Sequence, residues 1–202
     1  MAYVDVKDEN TEYMHKSLPN QIHRQKGFTL AELLITVAII AVLVAIAVPI
    51  FRNQLEKSRE AYDIYTMRQA ASIAVDFMYQ GDVNKTTAEA MGLKWWDNGG
   101  KGDNAAGVYN PGSGTFSPIG SKDAKKGYGK GTKVNSGATY NYFNREIYKS
   151  QEDYTNAVIL VSVYPNDHVD VYWKNVKDGK YIGGQGQNGA NDPKYSIRIN
   201  YE

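Results

Sequence analysis

The stretch Lys26-Gly27-Phe28-Thr29-Leu30-Ala31-Glu32-Leu33-Leu34 opens a run that continues ITVAIIAVLVAIAVPIF to residue 51. Of the 24 residues from 28 to 51, 20 are hydrophobic, and residues 33–51 carry no charge. At 1.5 Å per residue, 24 helical residues span roughly 36 Å, enough to cross a bilayer core. The 202-residue chain as a whole is hydrophilic, with a mean hydropathy of −0.51. Its apolar content is therefore concentrated in one block, a distribution unusual for a soluble enzyme. Lys16, Arg24 and Lys26 precede the block, and Arg52, Lys57 and Arg59 follow it. Lysine and arginine are balanced across it, so they orient it only weakly.

Three uses of such a block compete: a plain anchor, a signal peptide cut near Ala45-Ile46-Ala47, and a segment that exploits its odd residues. Those residues are Gly27 at the edge, Glu32 five positions on and Pro49 near the end. A carboxylate at hydrocarbon depth costs about 2.5–3.5 kcal/mol on insertion scales. An anchor or a signal peptide gains nothing from that cost, whereas a protein that pairs Glu32 with a positive charge does. Cleavage after Gly27 creates such a charge, an α-amine on Phe28, one helical turn from Glu32. Glycine also lets a protease approach the peptide bond closely.

Residues 26–34, with the apolar stretch through Val48-Pro49 in register, resemble the prepilin motif of type IV pilins and pseudopilins. The resemblance implies an α+β pilin fold: a long N-terminal helix, half transmembrane and half amphipathic, packed on a C-terminal antiparallel sheet. It implies a leader, residues 1–27, removed by a prepilin peptidase that cuts between Gly27 and Phe28 and methylates Phe28. It implies that Glu32 pairs with the N-terminal amine of a neighbouring subunit, and that Pro49 ends or kinks the first helical stretch. The implied partners are other copies in a helical homopolymer, the peptidase, the pilus assembly machinery, and the membrane through residues 28–51. The expected location is the cell membrane before assembly and a surface filament after it. Two features depart from the pattern. Ala41 stands where many relatives carry glycine, and the leader is long, with four acids balancing four bases.

Residues 52–79 lack glycine and proline and read as the continuing, amphipathic helix. Leu55, Tyr62, Ile73 and Phe77 form one stripe; Ile64, Met67, Ala71, Val75 and Met78 form another on nearly the opposite side. The first stripe is expected to pack on the chain's own sheet and the second between subunits. Residues 80–202 make the head, in which 80–138 is expected to be a glycine-rich connection and 139–202 the antiparallel sheet. Residues 99–140 hold 11 glycines and two prolines, with Trp95-Trp96 ahead of them as an anchor to the body. Ala157–Tyr164 is apolar on both faces and reads as a central strand. Pro165-Asn166-Asp167 reads as a hairpin turn and residues 168–173 as its second strand. Residues 139–144 and 195–202 are further strands, and Asp178-Gly179 is a turn.

The composition limits the alternatives. With 23 Lys plus Arg against 22 Asp plus Glu, no electrostatic case for nucleic acid arises, although Lys122, Lys125, Lys126, Lys130 and Lys133 cluster locally. The chain has no cysteine, so a disulfide scaffold, a thiolate metal site and a cysteine nucleophile are excluded. Asp97, Asn98, Asp103 and Asn104 fail the EF-hand spacing. His168, the one histidine after residue 27, sits in a strand pattern and reads as a surface residue. No enzyme, cofactor or metal is expected. The function expected is that of a major-type pilin, serving adhesion, motility or DNA uptake. A pseudopilin of a secretion or competence system, or a tethered binding domain that never polymerises, are the alternatives.

Overall fold

The computed structural model describes residues 27–99, 102–186 and 192–202. The expected leader, apart from Gly27, lies outside the described residues. The chain divides into two compact units, Met1–Ala45 and Ile46–Glu202. Helix α1, Leu30–Tyr79, is 50 residues long and runs unbroken through Pro49. Pro49 removes the bond that the Ala45 carbonyl would accept but does not end the helix here. In the first unit the described residues 30–45 are helical and exposed on every side.

In the second unit α1 is followed by the short helix α2, Lys85–Ala90, and eight strands. These are β1 Lys94–Trp96, β2 Asn104–Asn110, β3 Thr115–Pro118, β4 Thr139–Tyr142, β5 Arg145–Lys149, β6 Ala157–Tyr164, β7 His168–Asn175 and β8 Ser196–Asn200. The main sheet is antiparallel, in the order β1-β2-β6-β7-β8. β1 and β3 share one edge of β2, and β6 takes the other. β4 and β5 form a separate hairpin. Ile159, Val161 and Val163 of β6 join Val169, Val171 and Trp173 of β7 and Ile197 of β8 in the core shared with α1. The opposite face of β6 is also covered: Val158, Leu160 and Tyr172 cluster with Val108 and Ala124. An α+β fold with a helix on an antiparallel sheet results.

The connection between helix and sheet differs from the sequence expectation. Residues 80–138 contain α2 and three strands, and β2 lies inside the main sheet, so the sheet is not confined to 139–202. The glycines permit this. A Cβ at Gly107, in the middle of β2, would stand 2.7 Å from the Leu93 side chain and 3.1 Å from the Ser117 carbonyl. Further on, Gly127-Tyr128-Gly129-Lys130-Gly131 lies as a strap against residues 154–157. The Asn156 N–H donates to the Gly129 carbonyl and the Tyr154 N–H to the Gly131 carbonyl, each at 3.0 Å. A Cβ on Gly127 or Gly129 would strike the Asn156 or Tyr154 carbonyl, and one on Gly131 the Tyr148 hydroxyl.

The helix stripes require a second correction. Ile64, Met67, Ala71 and Met78, expected between subunits, belong to the domain's own core, and Val75 packs against it. Met67 is fully buried. Leu55 and Tyr62, expected against the sheet, are 41% exposed, and Tyr65 is 60% exposed. The buried face runs through Glu56, Glu60, Asp63, Met67, Ala70, Ala74 and Met78, at intervals of three or four residues. Its first three members are acids, and an apolar count passes over them.

Those acids hold the strap and the β4–β5 hairpin on the helix. Asp63 is fully buried. It accepts the Lys130 N–H at 2.9 Å, the Gly131 N–H at 2.7 Å and the Tyr148 hydroxyl at 3.2 Å. Glu56 accepts the Thr132 N–H at 2.5 Å and its hydroxyl at 2.8 Å. Glu60 accepts the Tyr140 hydroxyl at 2.9 Å. Behind Asp63, Tyr148 stacks on Tyr154 at 3.8 Å, and Tyr154 meets Trp173 edge-on at 5.7 Å. Burial pushes the Asp63 carboxyl up from 3.8 to about 6, against the opposing pull of its three donors.

Two outcomes follow from this packing. Met67→Glu should destabilise the processed chain in detergent by about 4 kcal/mol or more, because an unpaired charge enters a sealed core. Tyr65→Glu should leave thermal unfolding, followed by near-ultraviolet circular dichroism, within about 0.5 kcal/mol of wild type. The second outcome concerns pH. The folded state holds the Asp63 proton up to about 6 and the unfolded state releases it near 3.8. The contribution of Asp63 is therefore full below 3.8, falls as pH rises to about 6, and is flat above that. Asp63→Asn should abolish this slope, so the stability difference between the two proteins should change across that window. A difference independent of pH would contradict the assignment.

Candidate processing and assembly site

Gly27, Phe28 and Thr29 precede the helix in non-helical backbone and are exposed, Phe28 by 90%. A Cβ built on Gly27 meets nothing within 4 Å. The described fold therefore makes no demand for glycine at this position.

The helix start is a reciprocal cap of the Thr-x-x-Glu kind. The Glu32 N–H donates to the Thr29 hydroxyl oxygen at 3.2 Å. The Glu32 carboxylate accepts the Thr29 N–H at 2.8 Å and its hydroxyl at 2.9 Å. Two of the N–H groups that a helix start leaves open are satisfied in this way. The favourable position of a carboxylate at a helix N-terminus adds to it. Sequence reasoning set Glu32 against Phe28, one turn away. The structure sets it against Thr29, and the Thr-x-x-Glu spacing was the signal that could have shown this.

Downstream of Glu32 the helix is apolar on all sides. It is the one helix among the described residues long and apolar enough to cross a membrane, and none of its most apolar window is buried. Leu33, Leu34, Ile39, Ile40 and Leu43 are all more than half exposed. Pro49 lies further along the same helix, while Ile64, Met67, Ala71, Val75 and Met78 are turned to the sheet and add nothing to this exposed surface.

The other polar candidates are structural. Asp170 and Arg198 face each other directly across β7 and β8, and the guanidinium grips both carboxylate oxygens at 2.5 and 2.6 Å. Burial would raise the Asp170 carboxyl, but Arg198 and His168 outweigh it and hold it below its ordinary value. His168 lies 3.1 Å from Asp167 and 3.3 Å from Asp170, and stacks on Tyr164. Burial lowers its basicity, yet the two carboxylates raise it overall. This is a charge network along a sheet edge, with Ser162 of β6 paired across from Asp170. Asp97 and Asp103 accept backbone N–H groups of Gly99 and Asn98 and so close local turns. Trp95 packs against the core, whereas Trp96 is 42% exposed beneath the Lys94 ammonium.

Comparison with known proteins meets this geometry at its N-terminal end. Residues 22–48 match the family model described as the prokaryotic N-terminal methylation motif. The chain is 32% identical over 62 residues to the fimbrial protein EcpB of Eikenella corrodens. That alignment covers 31% of this chain and 39% of the fimbrial protein, well under half of each. No solved structure matches the chain. An exposed Gly27–Phe28 junction, a capped Glu32 and an apolar helix thus coincide with the matched motif, and the amino-terminal segment of this chain is that of a type IV pilin-like prepilin.

Proposed function

We propose that the chain is a structural subunit of a type IV pilus, held in the membrane by residues 28–51 until it is assembled into a surface filament. The observation that carries this reading is the junction itself. Gly27 is unneeded by the described fold, it precedes an exposed Phe28, and a carboxylate stands in the first turn of a helix that carries no other charge up to residue 51. In this reading the prepilin peptidase needs the glycine and removes residues 1–27. It then methylates the new amine of Phe28. Before the cut, Glu32 spends its charge on Thr29. After the cut, a positive amine competes for the same carboxylate, and a docking subunit can supply it. That pairing offsets the cost of the carboxylate in hydrocarbon and favours addition in one axial register. The head then faces outward for adhesion, motility or DNA uptake.

Mass spectrometry of protein from sheared filaments should find N-methylated Phe28 as the first residue. An N-terminus at Val48 would instead establish a signal peptide. Replacing Gly27 with leucine should leave the head folded and the precursor uncut in the membrane. Glu32→Ala should insert and be cut normally, since it removes a membrane cost along with an attraction, yet yield no filament. Glu32→Asp should restore part of the yield. Wild-type amounts of filament from Glu32→Ala would remove the pairing from the mechanism.

A further inference from the structure

The β4–β5 hairpin ends in a two-residue tip, Phe143-Asn144, between the paired Tyr142 and Arg145. Phe143 has φ 51°, the left-handed region that two-residue hairpin turns reserve for glycine, asparagine or aspartate. It is also 80% exposed, the most exposed large hydrophobic side chain among the described residues of the Ile46–Glu202 unit. Its ring meets the Tyr142 ring edge-on at 4.7 Å. Strain and exposure both disfavour phenylalanine here, and that one contact is little return within the chain. The hairpin beneath it is firmly held. Glu60 and Asp63 take the Tyr140 and Tyr148 hydroxyls, Arg68 lies 5.6 Å over Tyr142, and Arg145 bonds Asp192 at 2.8 Å. The tip is a rigid aromatic knob, and rigidity lowers the ordering cost of binding.

We infer that Phe143 docks on a second copy of this chain, against the outer stripe of α1 formed by Leu55, Tyr62 and Tyr65. This rests on the pilus-subunit reading and assigns part of the head contact within it. Leu55 and Tyr62 are 41% and Tyr65 60% exposed, and none of the three belongs to the domain's core. It runs on from the exposed Ile50 and Phe51 of the same helix, the segment that reading places between subunits. Among the described residues the knob's one ring contact is with Tyr142 of its own hairpin. A contact between two different patches of identical molecules is heterologous, and it propagates along a filament when its rotation does not close. Offset or edge-on ring contacts with the two tyrosines suit a phenylalanine knob.

The test replaces the knob with residues that fit its backbone better. Phe143→Gly and Phe143→Asn should leave the melting temperature of the processed chain in detergent unchanged or raised, while sheared filament falls by roughly tenfold or more. The chain has no native cysteine, so cross-linking gives a direct reading. Asn144→Cys combined with Ser58→Cys, both exposed and adjacent to knob and stripe, should give a ladder of covalent multimers in oxidised filaments. Neither single variant should give more than dimers. Normal filament yield from Phe143→Gly overturns the inference, as does a lowered melting temperature, which would make Phe143 a fold residue. Assembled double-cysteine filaments without a ladder overturn the stripe as acceptor. If the unaltered chain is processed and never forms filaments, the pilus reading itself fails, and this inference falls with it.

Discussion

The contact between the Asp63 carboxylate and the backbone N–H groups of Lys130 and Gly131 joins the parts of the head that are far apart in the chain. It spans 68 residues, and it sits where α1, the glycine strap and the stacked pair Tyr148–Tyr154 converge. A buried carboxylate without donors would be too costly to keep, and a strap without acceptors would leave its own N–H groups unpaired. Each solves the other's problem. Glu60 and Glu56, one and two turns earlier along the helix, accept from the Tyr140 hydroxyl and the Thr132 N–H, so a polar seam runs beside the apolar one.

The same helix meets two kinds of surroundings. From residue 33 to 45 it is uncharged, apolar apart from Thr36, and exposed all round, as suits a segment in hydrocarbon without its own protein core. From Glu56 to Met78 one face is committed to the domain, and small residues, Ala70, Ala71 and Ala74, allow a close approach to the sheet. What remains outward there carries Lys57, Arg68, Ser72 and Asp76 beside Tyr62 and Tyr65. The head's many tyrosines fit this division. Tyr154 is buried and Tyr128 half-buried, and their hydroxyls accept the backbone N–H groups of Lys149 and Ile159, so they pack like hydrophobes while pairing backbone donors.

The legible parts of this protein are those where residue type alone carries the signal. The apolar block and its Gly27-Phe28-Glu32 pattern are local, and the β6 strand Ala157–Tyr164 is so uniformly apolar that burial on both faces follows from its composition. Asp178-Gly179 is a turn for the same local reason, with Gly179 at positive φ. Ile73 and Phe77 of the inward face of α1 were legible, but most of that face was not, because Glu56, Glu60 and Asp63 are buried by partners 67 to 85 residues away. Nothing near them in the chain marks them as inward. β2 was hidden for a related reason: Gly107 weakens it as a strand, yet only a glycine admits Leu93 and Ser117 so close to it. At the helix start the local pattern was complete, since Thr29 and Glu32 stand at the spacing of a reciprocal cap.

The alternating glycines of residues 127–131 place a constraint on how this head can diverge. Each glycine lies against the backbone or side chain beneath it, while between them Tyr128 packs on Trp173 and Lys130 is exposed. Inserting or deleting one residue in the strap would exchange the two sets, turning side chains into spaces that hold carbonyl oxygens and withdrawing the N–H groups from Asp63. The strap therefore behaves as a part of fixed length inside a region that is otherwise rich in turns. Change in related chains should collect in the tips on either side of it, such as residues 111–114, where a Cβ on Gly114 meets no neighbour within 4 Å. Length variation would then reshape the exterior of the head while the joint between helix and sheet stays the same.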